Sequence, residues 1–169
     1  MVKLVLWRHA KTIHQEGLAD TERYLTSQGR EDRDVSARYI LTNHAPDIIL
    51  CSTATRTRET LEALEKQGTD AKIQYTEFLY HCYVEDILEL AGGIDDSYQT
   101  LLIVGHNPGL EDFILNVNSN TQPHRAQVNY KFYPGDVAII EWAQSNWGGI
   151  QFKDAVLTDI FSVKKKPNT

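Results

Sequence analysis

The chain of 169 residues is poor in cysteine, with two, in proline, with five, and in methionine, with one. Cys51 and Cys82 fit neither a disulfide framework nor a metal-ligand spacing, so a disulfide-stabilised or zinc-stabilised domain is not expected. No apolar run approaches the roughly 18 residues of a membrane span. The apolar start, Val2–Trp7, is too short for the core of a signal peptide and lacks a cleavage site. We therefore expect a cytoplasmic protein with no membrane partner.

Positive charge is also in short supply, because 17 basic side chains face 23 acidic ones and the formal net charge is −6. A protein that coats DNA or RNA needs a basic face to displace counterions, so a nucleic-acid partner is not expected. The charge is uneven, however: residues 1–60 carry a net +1 and residues 61–169 a net −7. Arginine therefore collects in the first third of a chain that is otherwise acidic.

Apolar residues make up 41% of the chain, which is enough to fill one core, and the length suits a single domain over residues 1–169. Three short apolar runs, Val2–Trp7, Ile48–Cys51 and Leu101–Val104, are typical of strands buried on both faces of a sheet. Helical patterns separate these runs. The alternation predicts an α/β fold, a three-layer α/β/α sandwich with a mostly parallel central sheet.

Local signals bound several of these elements. Thr26 is a suitable N-cap for a helix whose buried face would include Val35, Tyr39 and Ile40. A second helix is predicted from Thr55 to Gln67, with Gly68 as its stop. Further helices are expected over 84–91 and 109–116, and a further strand over 71–75. The C-terminal part is expected to pair a strand over 137–142 with another over 150–152.

Residues with the chemistry for binding anions follow each of the three buried strands. Arg8 and His9 come after the first strand, Ser52 and Arg56 follow the second, and His106 follows the third. Ligands bind beyond the carboxyl ends of parallel strands, so these side chains should converge on one point. Two arginines and two histidines suit a tetrahedral dianion, and a neutral imidazole is a competent nucleophile toward phosphorus.

These residues resemble the signature of the histidine phosphatase superfamily, also called phosphoglycerate mutase-like. The signature is a strand ending in Arg-His-Gly or Arg-His-Ala, then Ser-x-x-x-Arg-x-x-x-Thr, then an apolar strand followed by histidine. In this chain it corresponds to residues 4–10, to Ser52, Arg56 and Thr60, and to residues 101–106. The short length and the Arg23-x-Leu25-Thr26-x-x-Gly29 stretch look most like the SixA-type phosphohistidine phosphatase branch, as does Phe78-Leu79-Tyr80 before a helix with Glu85 and Asp86.

The resemblance implies a role for each matching residue. His9 would be the nucleophile, Arg8 and Arg56 would hold the phosphoryl oxygens, and His106 would donate to them. Arg23 matches an arginine that helps line the pocket. Water would hydrolyse the phosphohistidine formed on His9, and no metal or other cofactor is implied because the cationic side chains supply the positive charge.

The chain departs from larger members of the family where they carry a carboxylate that protonates an alkoxide leaving group. The comparable stretch is 77–81; His81 lies nearest that position, although a plain loop role for it is favoured, and Glu77 belongs to the preceding segment. A weak acid is tolerable when the leaving group is an imidazole. The expected substrate is therefore phosphohistidine or another activated phosphate. The chain is too short for large cap insertions, and the resulting open site suits a phosphoryl group carried by a protein. A second departure, over 130–135, affects the rim of the pocket.

Several alternatives compete with this interpretation. A cysteine-dependent phosphatase needs an arginine six positions after its nucleophile, but that position after Cys51 is Thr57. The chain has no P-loop motif, and a metal pair of His9 and His14 has no evident third ligand. A small-molecule phosphomonoesterase of the same superfamily and a non-catalytic phosphate-binding domain remain open. The arginines should lower the pKa of His9, so activity should persist below pH 6.5.

Overall fold

A six-stranded mixed sheet forms the centre of the computed structural model, which describes residues 1–121 and 131–164, the last four residues of the first range by their backbone alone. The strands are β1 (Val2–Arg8), β2 (Ile48–Ser52), β3 (Lys72–Thr76), β4 (Thr100–Gly105), β5 (Val137–Trp142) and β6 (Val156–Phe161). Their order across the sheet is β3-β2-β4-β1-β5-β6. The first four in this order are mutually parallel, and β5 runs antiparallel to both of its neighbours. The mostly parallel sheet is as predicted.

Four helices cover the two faces of the sheet: α1 (Ser27–Asn43), α2 (Thr55–Gln67), α3 (Val84–Gly92) and α4 (Gly109–Thr121). Alternate residues of β1 divide between the faces, because successive side chains of a strand point in opposite directions. Leu4 and Leu6 pack in the core that includes residues of α3 and α4. Val5 and Trp7 pack in the core that includes residues of α1 and α2. The result is the predicted three-layer α/β/α arrangement.

The order of the strands explains where function concentrates. β4 lies between β1 and β2, and the Cα partners of Arg8 and Cys51 are Gly105 and Val104 respectively. The carboxyl ends of β1, β4 and β2 therefore meet at one edge of the sheet. The segments that follow these strands, beginning at His9, His106 and Thr53, leave the sheet side by side.

The predicted helix boundaries follow from capping. The hydroxyl of Thr26 accepts a hydrogen bond from the backbone N–H of Gly29 at 2.9 Å, and Gly68 ends α2 in the left-handed conformation with φ of 93°. Gly29 is required for another reason. A Cβ atom on it would lie 2.3 Å from the carbonyl oxygen of Lys11, so a larger residue would push away the loop that follows the strand β1.

Two local predictions are wrong. Val35 is exposed, because the inward face of α1 is shifted by one position from the predicted one. This face includes polar groups whose partners lie in α2 and in the loop before β5. The residues that α1 buries are Arg33, Ser36, Ala37 and Ile40. Residues 150–152 form no strand; a short 3-10 helix covers Phe152–Asp154, and the strand that pairs with β5 is β6. Within the described ranges, every helix is too short or too polar to cross a bilayer.

Candidate active site

His9 begins the loop after β1 and is almost fully enclosed. Its backbone N–H donates to the carbonyl of Gly105 at 3.1 Å, so the end of β4 fixes the position of its main chain. Its Nδ1 lies 2.8 Å from the carbonyl oxygen of Ala10. A carbonyl oxygen only accepts, so Nδ1 carries the proton and the lone pair of the neutral ring is on Nε2. The sequence therefore places a neutral imidazole with a defined tautomer at the end of this strand.

The pKa of His9 lies well below its ordinary value, at about 3. Burial is the largest cause, because the cationic form would lose its hydration, and the neighbouring His106, Arg8 and Arg56 act in the same direction. The hydrogen bond to the carbonyl of Ala10 opposes them. The lowered pKa agrees with the expectation from sequence. The main cause is different, because burial lowers the pKa of His9 more than the charges of the arginines do.

His106 stands beside His9, with 5.4 Å between the ring centroids. Its Nε2 lies 2.7 Å from the hydroxyl of Ser52 at the end of β2. The backbone N–H of Ala54 donates to that same hydroxyl oxygen at 3.4 Å. In the tautomer whose Nε2 accepts the hydroxyl proton of Ser52, His106 bears its own proton on Nδ1, which has no partner among the described residues. Burial and the charge of Arg56 lower the pKa of His106 to about 3, so the ring is a neutral hydrogen-bond donor.

Arg56 enters from the first turn of α2 and is 6% exposed. Its two terminal nitrogens donate to Asp20, one to the backbone carbonyl at 2.7 Å and one to Oδ2 at 3.1 Å. Tyr80 also donates to that carboxylate oxygen, and its ring packs beside the guanidinium and edge-on against His106. The bonds from Tyr80 and Arg56 hold the pKa of Asp20 well below its usual range, so this carboxylate is ionised.

Arg8 is anchored to the segment before β5. Its Nη1 donates to the carbonyl of Phe132 at 2.8 Å, and Asn107 donates to the same oxygen at 2.9 Å. The segment before β5, which departs from the family pattern, thus holds an arginine at the rim of the site; Tyr130, its first residue, lies outside the described residues. Burial lowers the pKa of Arg8, and the charge of Arg56 adds to this effect.

Arg23 and His81, the two remaining predicted residues, belong to the surroundings of this cluster. Arg23 donates to Oδ1 of Asp20 at 3.2 Å, to the carbonyl of Ile13 at 3.1 Å and to the hydroxyl of Thr12. It therefore reaches Arg56 through Asp20. His81 is exposed, and its ring meets that of Tyr80 with centroids 4.0 Å apart.

Three buried nitrogens of the cluster have no hydrogen-bond partner among residues 1–121 and 131–164: Nε of Arg8, Nε of Arg56 and Nδ1 of His106. Buried polar groups are nearly always paired, because an unpaired donor costs roughly 1–3 kcal/mol. A compact anion with several acceptor oxygens would supply partners for such donors. The arrangement therefore suits a tetrahedral oxyanion beside the lone pair of His9.

The alternatives raised by the sequence use residues with different surroundings. The thiol of Cys51 is fully buried in the core beneath α1 and α2, and burial raises its pKa to about 12, the opposite of an activated thiolate. His14 is exposed whereas His9 is buried. In the part of the chain that the structure describes, no three side chains of the metal-ligating types form a group that could hold an ion.

Comparison with known proteins agrees with this geometry. The family model of the histidine phosphatase superfamily (branch 1) matches residues 4–88. The chain belongs to the histidine phosphatase superfamily. An uncharacterized protein of Mycobacterium leprae is 32% identical over 157 residues, covering 89% of this chain and 95% of that protein. An uncharacterized protein of Mycobacterium tuberculosis is 30% identical over 148 residues, covering 85% and 91%.

Solved structures of this superfamily share the fold. A candidate phosphohistidine phosphatase SixA from Nakamurella multipartitia superposes with a TM-score of 0.81 at 25% identity, covering 95% of each chain. Another candidate SixA, from Agrobacterium tumefaciens, gives a TM-score of 0.80 at 24% identity, covering 95% of this chain and 97% of that one. The resemblance to SixA-type histidine phosphatases found in the sequence motifs therefore extends to the whole fold.

Sequence reasoning missed two members of the cluster, Asp20 and Tyr80. Asp20 begins the short 3-10 helix Asp20–Glu22, Tyr80 ends the 3-10 helix Glu77–Leu79 as its C-cap, and both contact Arg56. The sequence held a clue to each residue. Asp20 precedes Arg23 in the same loop, and Tyr80 directly precedes His81, so each lies beside a residue that was predicted to belong to the site.

Thr60 of the motif supports the site without lining it. Its hydroxyl accepts a hydrogen bond from the backbone N–H of Ala10 at 3.0 Å and donates to the carbonyl of Arg56 at 2.7 Å. The same hydroxyl therefore ties the residue that bonds to His9 to the first turn of α2.

Proposed function

We propose that this protein is a phosphatase that moves a phosphoryl group onto His9 and then to water, and that its substrate is a phosphohistidine carried by a protein. The observation that carries the proposal is the bond from His9 Nδ1 to the carbonyl of Ala10, 2.8 Å long. It directs the lone pair to Nε2, next to the unpartnered donors of Arg8, Arg56 and His106.

In the first step the lone pair of Nε2 forms a bond to phosphorus. The substrate's ring carries a proton on its other nitrogen, so when its bond to phosphorus breaks the electron pair stays on the nitrogen and a neutral imidazole leaves. Arg8, Arg56 and the Nδ1–H of His106 bind the equatorial phosphoryl oxygens, where the negative charge spreads in the transition state. In this proposal the positive charge comes from side chains of the chain itself.

In the second step a water oxygen bonds to phosphorus on the opposite side from Nε2. The bond from phosphorus to Nε2 breaks and the electron pair returns to the imidazole. Inorganic phosphate leaves with the protons of the attacking water, which it exchanges with solvent. The carbonyl of Ala10 stabilises the charge that His9 bears while it is phosphorylated, because Nδ1–H remains its donor. Thr60 holds that carbonyl's residue in place through its backbone N–H.

The strength of the available proton donor bears on which leaving group the site can expel. Among the described residues, the carboxylate bound to Arg56 is that of Asp20, and its lowered pKa makes it a poor proton donor. An alkyl phosphate needs such a donor, whereas a phosphohistidine whose other ring nitrogen is protonated expels a neutral imidazole without one. This favours phosphohistidine over the small-molecule phosphomonoester.

The decisive experiment compares the wild-type protein with His9→Ala on an aryl phosphate, with His14→Ala as the matched control because His14 is an exposed histidine of the same loop. We expect kcat/KM to fall by more than about a thousandfold for His9→Ala and to stay within about twofold for the control. Undiminished turnover by His9→Ala would refute the nucleophile. A wild-type protein that binds phosphate without turnover would favour the non-catalytic domain.

The substrate is tested separately. We expect kcat/KM on a phosphorylated histidine carrier protein to exceed that on each of a panel of alkyl phosphates by at least about a hundredfold. A preference for an alkyl phosphate would overturn the assignment of phosphohistidine and leave the phosphatase assignment standing.

A further inference from the structure

A groove of about 820 Å³ lies beside the site, between β3 and α3. Tyr80 is its common wall with the site, because the same side chain contacts His106, Arg56 and Asp20. Leu50 and Gln74 lie along the sheet side, and Leu90 and Ile94 lie along the side of α3. Helix α3 has nine residues and is therefore about 13 Å long, a length that about four residues of extended chain would match.

Exposed aromatic side chains line the groove. Phe78 and Tyr75 both line it, with 78% and 47% of their surfaces exposed. Single exposed apolar residues are ordinary, but two exposed aromatic rings in a groove beside a reactive centre resemble the anchors of protein interfaces.

The charge of the groove is one-sided. Three carboxylates line it, those of Glu77, Asp86 and Glu89, and no lysine or arginine does so among the described residues. Asp86 accepts from the backbone N–H of Tyr83 at 2.7 Å and is committed to capping α3. Glu77 and Glu89 are exposed and belong to no ion pair between described residues.

The site and the groove therefore attract opposite charges. The arginines and the unpartnered donors attract a phosphoryl dianion, while the adjoining groove attracts a cationic and partly apolar segment. A small alkyl phosphate would occupy the site and leave the groove unused. A polypeptide whose phosphohistidine is followed or preceded by apolar and basic residues would occupy both.

We infer that this groove docks the chain flanking the phosphohistidine of the substrate protein, and that it selects a segment with an apolar and a basic side chain within about four residues of the phosphohistidine. The inference rests on the proposed function and adds to it a sequence preference. Phe78 contacts the apolar side chain, and Glu77 and Glu89 contact the basic one.

The test uses two synthetic peptides with a central histidine flanked on both sides by leucine and lysine in one and by leucine and glutamate in the other. Fluorescence anisotropy with the unphosphorylated peptides measures the groove alone. Phosphate release from their phosphohistidine forms measures docking together with catalysis. We expect the lysine peptide to be favoured about tenfold in Kd and in kcat/KM, the effect of about two exposed ion pairs.

The double variant Glu77→Lys with Glu89→Lys reverses the charge of the two exposed carboxylates in the groove. Its matched control, Glu31→Lys with Asp154→Lys, makes the same change in net charge at exposed residues that do not line the groove. We expect the groove variant to lose or reverse the preference for the lysine peptide and the control to keep it within about twofold. Phe78→Ala should raise KM for both peptides without changing kcat, since Phe78 binds the flank and takes no part in the chemistry.

Equal Kd values of the two peptides for the wild-type protein would overturn the inference. The same holds if the control variant loses the preference as fully as the groove variant does, because the effect would then come from overall charge. Failure of the proposed function has a different signature: the preference in Kd would persist while no phosphohistidine peptide releases phosphate.

Discussion

Lowering the pH separates a buried histidine nucleophile from an ordinary one. His9 attacks as the neutral imidazole, and its pKa of about 3 keeps it neutral far below pH 6.5. When the pH falls from 7.5 to 5.5, less than about 1% of His9 becomes protonated in the folded protein. A histidine with the ordinary pKa of about 6.5 would lose roughly nine-tenths of its neutral form over the same interval.

The assay is kcat/KM on an aryl phosphate, because this quantity reports the ionisation of the free enzyme. The second ionisation of the substrate is measured by phosphorus NMR and divided out. We expect the corrected kcat/KM at pH 5.5 to lie within about twofold of its value at pH 7.5. A tenfold fall, with the circular dichroism spectrum unchanged, would refute the conclusion that His9 is held neutral by its enclosure.

The same groups make stability fall with pH over a range in which activity should hold constant. In the unfolded chain His9 and His106 take up protons below about pH 6.5, whereas in the folded protein they do so only near pH 3. The stability they contribute is therefore complete above pH 6.5 and is lost as the pH falls toward 3. At pH 5.5 each should lower the free energy of unfolding by about 1 kcal/mol, measurable by urea denaturation. Unfolding free energies that are equal at pH 7.5 and 5.5 would contradict this.

Three further substitutions test the roles of single residues. Arg56→Lys keeps the charge but loses the planar pair of donors, so kcat/KM should fall about a hundredfold, while Arg58→Lys on the exposed side of the same helix should stay within about twofold. Ser52→Ala removes the 2.7 Å partner of His106 Nε2, so kcat/KM should fall about tenfold, with a shift of the His106 tautomer seen by nitrogen NMR; an unchanged tautomer would contradict the role of Ser52. Cys51→Ala should retain activity within about twofold, and a hundredfold loss in a folded variant would restore the cysteine-dependent alternative.

The central sheet and the convergence of four side chains were predictable because they depend on local patterns. Buried parallel strands appear as short apolar runs, and the residue after each strand is placed by the topology of the sheet. Arg8, His9 and His106 owe their proximity to this rule alone. Arg56 follows because α2 starts immediately beyond β2 and turns its first residues toward the same edge.

The features of the site that could not be predicted from the sequence depend on contacts between distant loops. Asp20 reaches Arg56 only because the loop after β1 folds back across the site, held by Arg23 and Thr26. Tyr80 enters from the turn after β3, where no periodic pattern exists. The inward face of α1 was misjudged at Val35 because this helix buries an arginine and a serine, which hydropathy alone assigns to the surface.

The proposed nucleophile is tested most directly by identifying the residue that carries phosphate during turnover. The wild-type protein is mixed with a phosphohistidine carrier protein, quenched at alkaline pH to preserve phosphoramidates, and sequenced by mass spectrometry. We expect one phosphoryl group on His9, formed and lost at rates that match turnover and absent in His9→Ala. Turnover with no phosphorylated His9, or with the phosphoryl group on another residue, would contradict it.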